Sequence, residues 1–206
     1  MLSDGDARAL ELCLAGGGVA LFPADTVYGL GCDPELPDAV ARLYAIKGRP
    51  AERPAAVMFF ALRDALAALG EDLADVERDA LLALMPGPVT VLLPNRHRRF
   101  PLACGPDPDT LGLRVPALGP MLVALAGMRR PLMQSSANES GAPDSSRVEL
   151  ISPVIRGAAD LVLDAGPLPG VASTVIDLRA LASGGGWEIV REGALPAADV
   201  DRVLGG

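Results

Sequence analysis

The sequence predicts a single α/β domain, residues 1–206, built on a twisted, mixed, open sheet that is flanked by helices. The length of 206 residues suits one domain. Short apolar segments of strand length, such as AAVMFF and VTVLLP, alternate along the chain with Ala/Leu-rich segments of helical length. Hydrophobic residues make up 50% of the chain and aromatic residues only 3%, so the core must be built mainly from Ala, Val, Leu and Ile.

The first part of the chain begins with a predicted helix over residues 6–15, which the glycines at 16–18 end. The apolar segment VALF is predicted as a strand, and PADTVYGLGCD after it as a loop. In LPDAVARLYAIK the apolar residues recur at helical spacing, and Gly48 and Pro50 then stop the helix. The sequence therefore places Lys47 at the C-terminal end of an amphipathic helix.

The remaining elements follow the same alternation. AAVMFF is predicted as a buried strand, and two helices after it reach about Met85. Further strands are predicted at VTVLLP, LGLRVP and PLMQ, with a Pro/Gly-rich loop over 95–110 and a helix over 118–126. The last third contains ADLVLDAG, STVIDL, a hairpin at SGGGWEIV and a short closing helix. The late hairpin predicts a mixed rather than a purely parallel sheet.

Composition argues against several classes of protein. The net charge of −8 and the pI near 4.6 disfavour tight autonomous binding of RNA, although NRHRRF is a local basic patch. Cys13, Cys32 and Cys104 are widely spaced, which indicates reduced structural thiols rather than disulfides or a zinc site. The apolar runs fall short of the roughly 18 residues of a membrane helix. The acidic N-terminus lacks the basic start of a secretory signal, so we expect a cytoplasmic protein.

Several catalytic constellations are not indicated by the sequence. His97 is the only histidine and lies in an Arg-rich loop, and no G-x-S-x-G segment supplies a nucleophile elbow. No P-loop segment is present, and the glycines at 16–18 precede a strand instead of opening a helix, unlike a dinucleotide fingerprint. A catalytic triad, a P-loop and a dinucleotide site are therefore set aside.

Polar segments at the predicted ends of strands and helices favour an anion site. These segments are ADTVYG, KGRP, SSAN and STV, with Arg114 and Arg191 as further charges. Lys47 is the only lysine of the chain, and Arg49 lies two positions beyond it. The pair suits binding of a polyphosphate, but Lys47 is also explained as a solvated charge that complements the helix dipole. SSANESG can likewise present donors to an anion or form an ordinary polar turn.

Seven segments in order resemble the YrdC-domain family, the threonylcarbamoyl-AMP synthases of tRNA modification. They are FPADTVYGLGCD, YAIKGRP, MPGPVTVLLP, LGLRVP, SSANESGAP, STVID and VREGAL, and they span residues 22–195. The chain is similar to the short, single-domain form of the family. The resemblance implies a reaction in which L-threonine, bicarbonate and ATP give threonylcarbamoyl-AMP and pyrophosphate. It also implies Mg²⁺ as the companion of ATP and a tRNA-modifying transferase complex as the downstream partner. From charge, run lengths and residue spacing we expect weak or no autonomous tRNA binding, no membrane and no metal ligands in the protein.

The resemblance also implies roles for individual residues. A catalytic set would surround the triphosphate and the reacting carboxylate: Lys47, Arg49, Ser136 and Asn138. Threonine would be bound by Thr26, Arg114, Ser135 and Ser173, with Arg114 as the partner of its carboxylate. ATP would lie along Arg49, Arg53, Thr110, Ala137, Ser145 and Arg191.

Two positions depart from the family pattern. Arg53 stands where an Asn is common, and Met58 stands where a His is common. Arg53 can still contact a phosphate, but a thioether cannot replace the hydrogen bonds of an imidazole. Two alternative functions therefore stay open: a paralogue that acts on another substrate, and a non-catalytic RNA-binding accessory factor that uses Arg96, Arg98 and Arg99.

Overall fold

A mixed sheet organises the chain in the computed structural model, which describes residues 1–48, 50, 53–139 and 141–205. Within these residues nine strands form one sheet, with the spatial order β7-β1-β2-β6-β3-β5-β4-β8-β9. Their bounds are β1 Ala20–Pro23, β2 Tyr28–Cys32, β3 Ala56–Met58, β4 Val89–Pro94, β5 Thr110–Arg114, β6 Leu132–Ser136, β7 Leu161–Val162, β8 Thr174–Asp177 and β9 Glu188–Arg191.

Parallel and antiparallel pairs occur side by side in this sheet. The pairs β1–β7, β3–β5 and β4–β8 are parallel, whereas β1–β2, β2–β6, β3–β6, β4–β5 and β8–β9 are antiparallel. The order is linear with β7 and β9 at its edges, so the sheet is open. The prediction of a mixed open sheet is confirmed. The late hairpin, formed by β8 and β9, lies at one edge of this sheet.

Six α-helices flank the sheet in the described part of the chain: α1 Asp4–Ala15, α2 Pro37–Lys47, α3 Leu62–Leu69, α4 Asp75–Leu84, α5 Pro153–Ala158 and α6 Ala197–Leu204. Helix α1 begins with a capping box, in which Ser3 and Asp6 each accept the other's backbone N–H. Helix α2 has Pro37 in its first turn and ends at Gly48, whose φ of 56° is readily adopted only by glycine. The predicted end of this helix at Lys47 is confirmed.

The two faces of the sheet are covered unequally. Alternate residues of each strand point to opposite faces, so Leu21 and Val57 join one apolar cluster while Phe22 and Met58 join another. The first cluster contains the buried hydrophobic residues of α2, α3, α4, α5 and α6. The second contains α1 and the segment Leu122–Met128, and it covers only part of its face. The remainder of that second face is available for a ligand.

Two predicted elements are corrected by the structure. The predicted loop PADTVYGLGCD contains strand β2, because Gly29 and Gly31 pair in the sheet despite the low strand propensity of glycine. A Cβ on Gly31 would lie 2.9 Å from the Phe22 ring and 3.1 Å from Leu132, so this ladder has no space for a side chain there.

The predicted helix over 118–126 is only a 3₁₀ segment, Val123–Gly127, because Gly119 and Pro120 interrupt the helical pattern. In ADLVLDAG only Leu161–Val162 form a strand, and the short helix α5 before it was not predicted. In the described residues no helix has the length and apolar character needed to cross a bilayer.

Candidate functional site

A small cavity of about 170 Å³ lies on the less covered face of the sheet. Its floor is built from small residues: Ala56 on β3 lies against Gly112 on β5, where an added Cβ would be 3.3 Å from the Ala56 Cα. Polar side chains from four strands and two loops form its wall. The lining residues are Val27, Pro54, Ala55, Ala56, Thr90, Arg114, Gln134, Ser135, Ser136, Asp144, Ala172, Ser173, Val175 and Arg191.

Arg114 is the most buried charge of this wall, with only 2% of its surface exposed. Its Nη2 donates to Asp25 Oδ1 at 2.5 Å and to Thr26 Oγ1, and its Nη1 donates to Gln134 Oε1 at 3.3 Å. Its Nε is buried and has no hydrogen-bond partner among the described residues. Burial lowers the pKa of Arg114, and the Asp25 carboxylate opposes that shift.

The open Nε–H of Arg114 indicates a ligand acceptor. A buried donor without an acceptor costs about 1–3 kcal/mol, and native proteins rarely retain one without a reason. Asp25 is already bonded to Arg114 Nη2 and to the backbone N–H of Ala117, so it does not serve the Nε–H. Arg114 also lines the cavity, which favours an anionic ligand beside its guanidinium.

Lys47 lies close to the cavity, at the C-terminal end of α2. Its side chain is 4% exposed, and its Nζ donates to the backbone carbonyl of Ser136 and, at 3.1 Å, to Asn138 Oδ1. Ser136 Oγ donates to the same Asn138 oxygen at 2.6 Å. The structure thus brings together three of the four residues predicted for catalysis. The fourth, Arg49, lies outside the described residues.

The residues predicted to bind threonine converge on the cavity. Thr26 accepts from Arg114, and Ser135 lies on β6 in the cavity wall. Ser173 shares a hydrogen bond of 2.8 Å with Thr90 Oγ1. Arg191 Nη2 donates to the Ser173 backbone carbonyl at 2.7 Å, so this predicted ATP-binding residue lines the same cavity.

A neighbouring cavity of about 380 Å³ is lined by two residues predicted to contact ATP, Ala137 and Ser145. Asn138 and Asp144 also line this cavity. The backbone of Tyr28 connects Ala137 and Ser145, because its carbonyl accepts from the Ala137 N–H at 2.9 Å and its N–H donates to the Ser145 carbonyl at 3.0 Å. Asp144 lines both cavities, so the two spaces adjoin.

Two other predicted ATP contacts do not line either cavity. Thr110 begins β5, four residues from Arg114 and therefore about 13 Å along the strand, and its hydroxyl accepts from Arg179 at 3.0 Å. Arg53 is exposed, and its backbone carbonyl accepts from the Tyr44 hydroxyl at 2.7 Å. Met58 pairs with Arg114 in the β3–β5 ladder but is not among the residues that line the cavity, and its side chain is fully buried in the second apolar cluster.

The basic patch NRHRRF is neutralised within the fold. Arg96 makes two bonds of 2.8 Å to the buried carboxylate of Glu77, Arg99 donates to the buried Asp72, and Arg98 pairs with Asp109 at 3.0 Å. Each arginine of the patch therefore has an acidic partner. This arrangement removes the main structural support for an RNA-binding role.

Sequence reasoning missed four residues of the site: Asp25, Thr90, Gln134 and Asp144. Asp25 had a usable signal, because a buried arginine needs a counter-ion and Asp25 precedes Thr26 in a segment already singled out. Gln134 is the one polar residue of the predicted strand PLMQ. No group of three or more His, Cys, Asp or Glu residues with the geometry to hold a metal occurs in the part of the chain that the structure describes.

Comparisons with known proteins agree with this geometry. The chain is 31% identical over 192 residues to the threonylcarbamoyl-AMP synthase of Pyrococcus abyssi. The aligned region covers 92% of this chain and 54% of that protein. It is 37% identical over 174 residues to a protein of the same name in Xanthomonas campestris pv. campestris, covering 81% of this chain and 89% of the relative. The chain thus spans only about half the length of the Pyrococcus protein.

The fold also matches that of a solved relative. The structure of P. abyssi Sua5 complexed with L-threonine superposes with a TM-score of 0.86 at 29% identity, over 100% of this chain and 59% of the other. The Sua5/YciO/YrdC family model, described as "Telomere recombination", matches residues 13–193. The family match extends over most of the chain, in agreement with the resemblance of its motifs: this chain belongs to the Sua5/YciO/YrdC family.

Proposed function

We propose that this chain is a threonylcarbamoyl-AMP synthase, which forms threonylcarbamoyl-AMP and pyrophosphate from L-threonine, bicarbonate and ATP. The observation that carries the proposal is the buried Arg114 guanidinium, whose Nε–H lacks an acceptor among the described residues at a cavity of about 170 Å³. Drug-sized ligands occupy pockets of about 300–1,000 Å³, so this cavity suits a molecule of amino-acid size. The relatives named threonylcarbamoyl-AMP synthase, and the Sua5 structure with L-threonine, support the same assignment.

The cavity wall accounts for binding of the amino acid. The carboxylate of threonine would accept from Arg114, whose orientation is fixed by Asp25, Thr26 and Gln134. A charge-assisted hydrogen bond of this kind contributes about 1.5–3 kcal/mol when it is shielded from water. Arg114 would thereby hold the amine of the substrate at a defined place in the cavity.

The reaction needs no protein nucleophile. The amine nitrogen of threonine bonds to the carbon of bicarbonate and water leaves, which gives an N-carboxylate. A carboxylate oxygen of this group then bonds to the α-phosphorus of ATP, while the bond from that phosphorus to the pyrophosphate oxygen breaks. Magnesium enters with ATP as part of the substrate, and the protein's task is to position the reactants and to stabilise developing charge.

Lys47 is the residue best placed to stabilise the negative charge that develops on the leaving pyrophosphate. Its ammonium lies at the end of a helix, held by Ser136 and Asn138, on the same strand end that leads into the cavity of Ala137 and Ser145. A cation fixed in this way stabilises a leaving pyrophosphate without reorganising during the reaction. ATP would occupy the neighbouring cavity, with its α-phosphorus toward the threonine site that adjoins it.

The proposal also covers the cellular compartment of the enzyme and the partner that receives its product. We assign the enzyme to the cytoplasm, where its product would pass to a tRNA-modifying transferase complex. The internal pairing of Arg96, Arg98 and Arg99 fits an enzyme that makes a small-molecule intermediate and leaves tRNA recognition to its partner.

An adenylation assay tests the assignment. Purified protein is incubated with magnesium and α-labelled ATP, and the adenylate and pyrophosphate are quantified with threonine or bicarbonate omitted in turn. We expect product only when both are present. Turnover that needs a different acceptor would identify a paralogous activity, and steady adenylate formation without threonine or without bicarbonate would exclude the synthase.

A further inference from the structure

Gln134 is a polar residue of the cavity wall whose amide nitrogen has no role in the mechanism above. It lies on β6, is 8% exposed, and faces the cavity next to Arg114. Its register partner across the β3–β6 ladder is Ala56, a residue of the cavity floor. A side chain at this position therefore lines the same cavity as Arg114.

The orientation of the Gln134 amide is determined by its neighbour. Arg114 Nη1 lies 3.3 Å from the amide oxygen, and a guanidinium can only donate hydrogen bonds. The oxygen must therefore face Arg114, which turns the two N–H donors of the amide nitrogen the other way. On that side lies Gly29, where an added Cβ would be 3.3 Å from Nε2.

The Gln134 amide nitrogen differs from several hydroxyls of the cavity wall in its hydrogen bonding. Thr90 and Ser173 bond to each other, and the Ser136 hydroxyl donates to Asn138. Gln134 Nε2, in contrast, donates to no acceptor among the described residues. The cavity therefore offers an amide donor that is fixed in direction and has no acceptor from the protein.

We propose that Gln134 is a specificity-determining residue, whose amide nitrogen donates a hydrogen bond to the side-chain hydroxyl of the amino-acid substrate. The inference rests on the proposed function, because it takes the substrate to be threonine with its carboxylate on Arg114. Arg114 and Gln134 line the same small cavity, and with the carboxylate on Arg114 the hydroxyl is the remaining oxygen of threonine. A buried amide that loses such a partner strongly disfavours an analogue that lacks the hydroxyl.

Binding of two matched ligands tests this role. Titration calorimetry compares L-threonine with L-2-aminobutyrate, which differs only by the absence of the hydroxyl, on the parent protein and on Gln134→Met. We expect the parent to prefer threonine by about a hundredfold or more, and Gln134→Met, which keeps the length but has no donor, to reduce this ratio below about tenfold. Gln134→Glu, which keeps an acceptor for Arg114 and removes both donors, should lose the preference as well.

Met133→Leu is the matched control, because Met133 is the adjacent residue of β6 and packs on the opposite face of the sheet. It should keep the parental ratio, and melting curves establish that each variant is folded. A parent that binds both ligands within about tenfold overturns the inference, as does a folded Gln134→Met or Gln134→Glu with the parental ratio.

The adenylation assay distinguishes a failure of the role of Gln134 from a failure of the proposed synthase function. Threonine- and bicarbonate-dependent adenylate formation, without a Gln134-dependent preference for the hydroxyl, would overturn the role of Gln134 alone. Failure to bind threonine or to form the adenylate would overturn the proposed function and this inference with it.

Discussion

The ammonium of Lys47 donates to the backbone carbonyl of Ser136, although 89 positions separate the two residues in the sequence. This contact joins the end of α2 to the end of β6, where the Asn138 side chain accepts from the same ammonium. Lys47 is therefore a buried charge with defined partners, and not a solvated charge at a helix end. The only lysine of the chain lies beside a cavity that arginine side chains also line.

Replacing Lys47 tests whether its shape matters as well as its charge. Lys47→Ala should lower the adenylation rate by about a hundred- to a thousandfold and ATP affinity by much less, because a fixed charge helps most where charge develops. Lys47→Arg should remain strongly impaired, since a planar guanidinium does not fit between the Ser136 carbonyl and the Asn138 oxygen as a compact ammonium does. Single-turnover rates and ATP titrations measure both effects.

The folded state of the Lys47→Arg variant is checked by its melting temperature, which should stay within a few degrees of the parent. If this variant turns over at the parental rate, Lys47 supplies only a generic positive charge.

Changes at Arg114 should affect threonine far more than ATP. Arg114→Lys keeps the charge but removes the Nε–H, and we expect threonine affinity to fall about ten- to a hundredfold while ATP affinity changes little. Arg114→Ala should show the same bias. It should also be less stable by about 3–5 kcal/mol, because it leaves the buried Asp25 carboxylate without its cation. Titration calorimetry with each ligand gives the comparison, and equal weakening of both would show that Arg114 has a structural role only.

Acid should destabilise the turn that carries Arg96 and Arg99. Burial by itself would raise the pKa of Asp72 and of Glu77, but hydrogen bonds from Arg99 and His97 to Asp72, and from Arg96 to Glu77, hold both pKa values below their usual range. Carboxylates with a depressed folded-state pKa stabilise the protein above their unfolded pKa, near 4. That contribution is lost as pH falls from about 4 through the folded-state pKa values.

Glu77→Gln should therefore lower the free energy of unfolding at pH 7 and flatten its fall below pH 4. Urea denaturation between pH 3 and pH 7 measures the change, with the exposed Asp201→Asn as the control that should behave like the parent. An unchanged pH profile in Glu77→Gln would show that its pairing with Arg96 does not stabilise the fold.

Binding of tRNA should be weak and should not depend on the basic patch. Fluorescence anisotropy at low salt should give similar, weak binding for the parent and for Arg98→Ala, because the arginines of NRHRRF already have acidic partners. The net charge of −8 adds a general repulsion from phosphate. Tight binding that Arg98→Ala abolishes would instead favour the RNA-binding alternative.

The sequence alone was enough to predict the class of fold and most of its elements. Apolar runs of strand length and helical spacing are local properties, so the helix that ends at Lys47 and the strands at VTVLLP and LGLRVP follow from neighbouring residues. Strand β2 was missed for the opposite reason. Its glycines are poor strand formers locally, and only the close approach of Phe22 and Leu132 explains them.

The membership of the cavity was decided by tertiary structure. Arg114 and Thr110 lie on one short strand, yet only Arg114 reaches the cavity, because its end of β5 meets Asp25 and Thr26. Gln134 belongs to the site through the register of β6 against β3, and Arg96 is excluded from a binding surface by Glu77, which lies on a separate helix. Residue types and local periodicity can be determined from the sequence alone. Burial, ion pairing and strand register depend on segments far apart in the chain, which only the folded structure brings together.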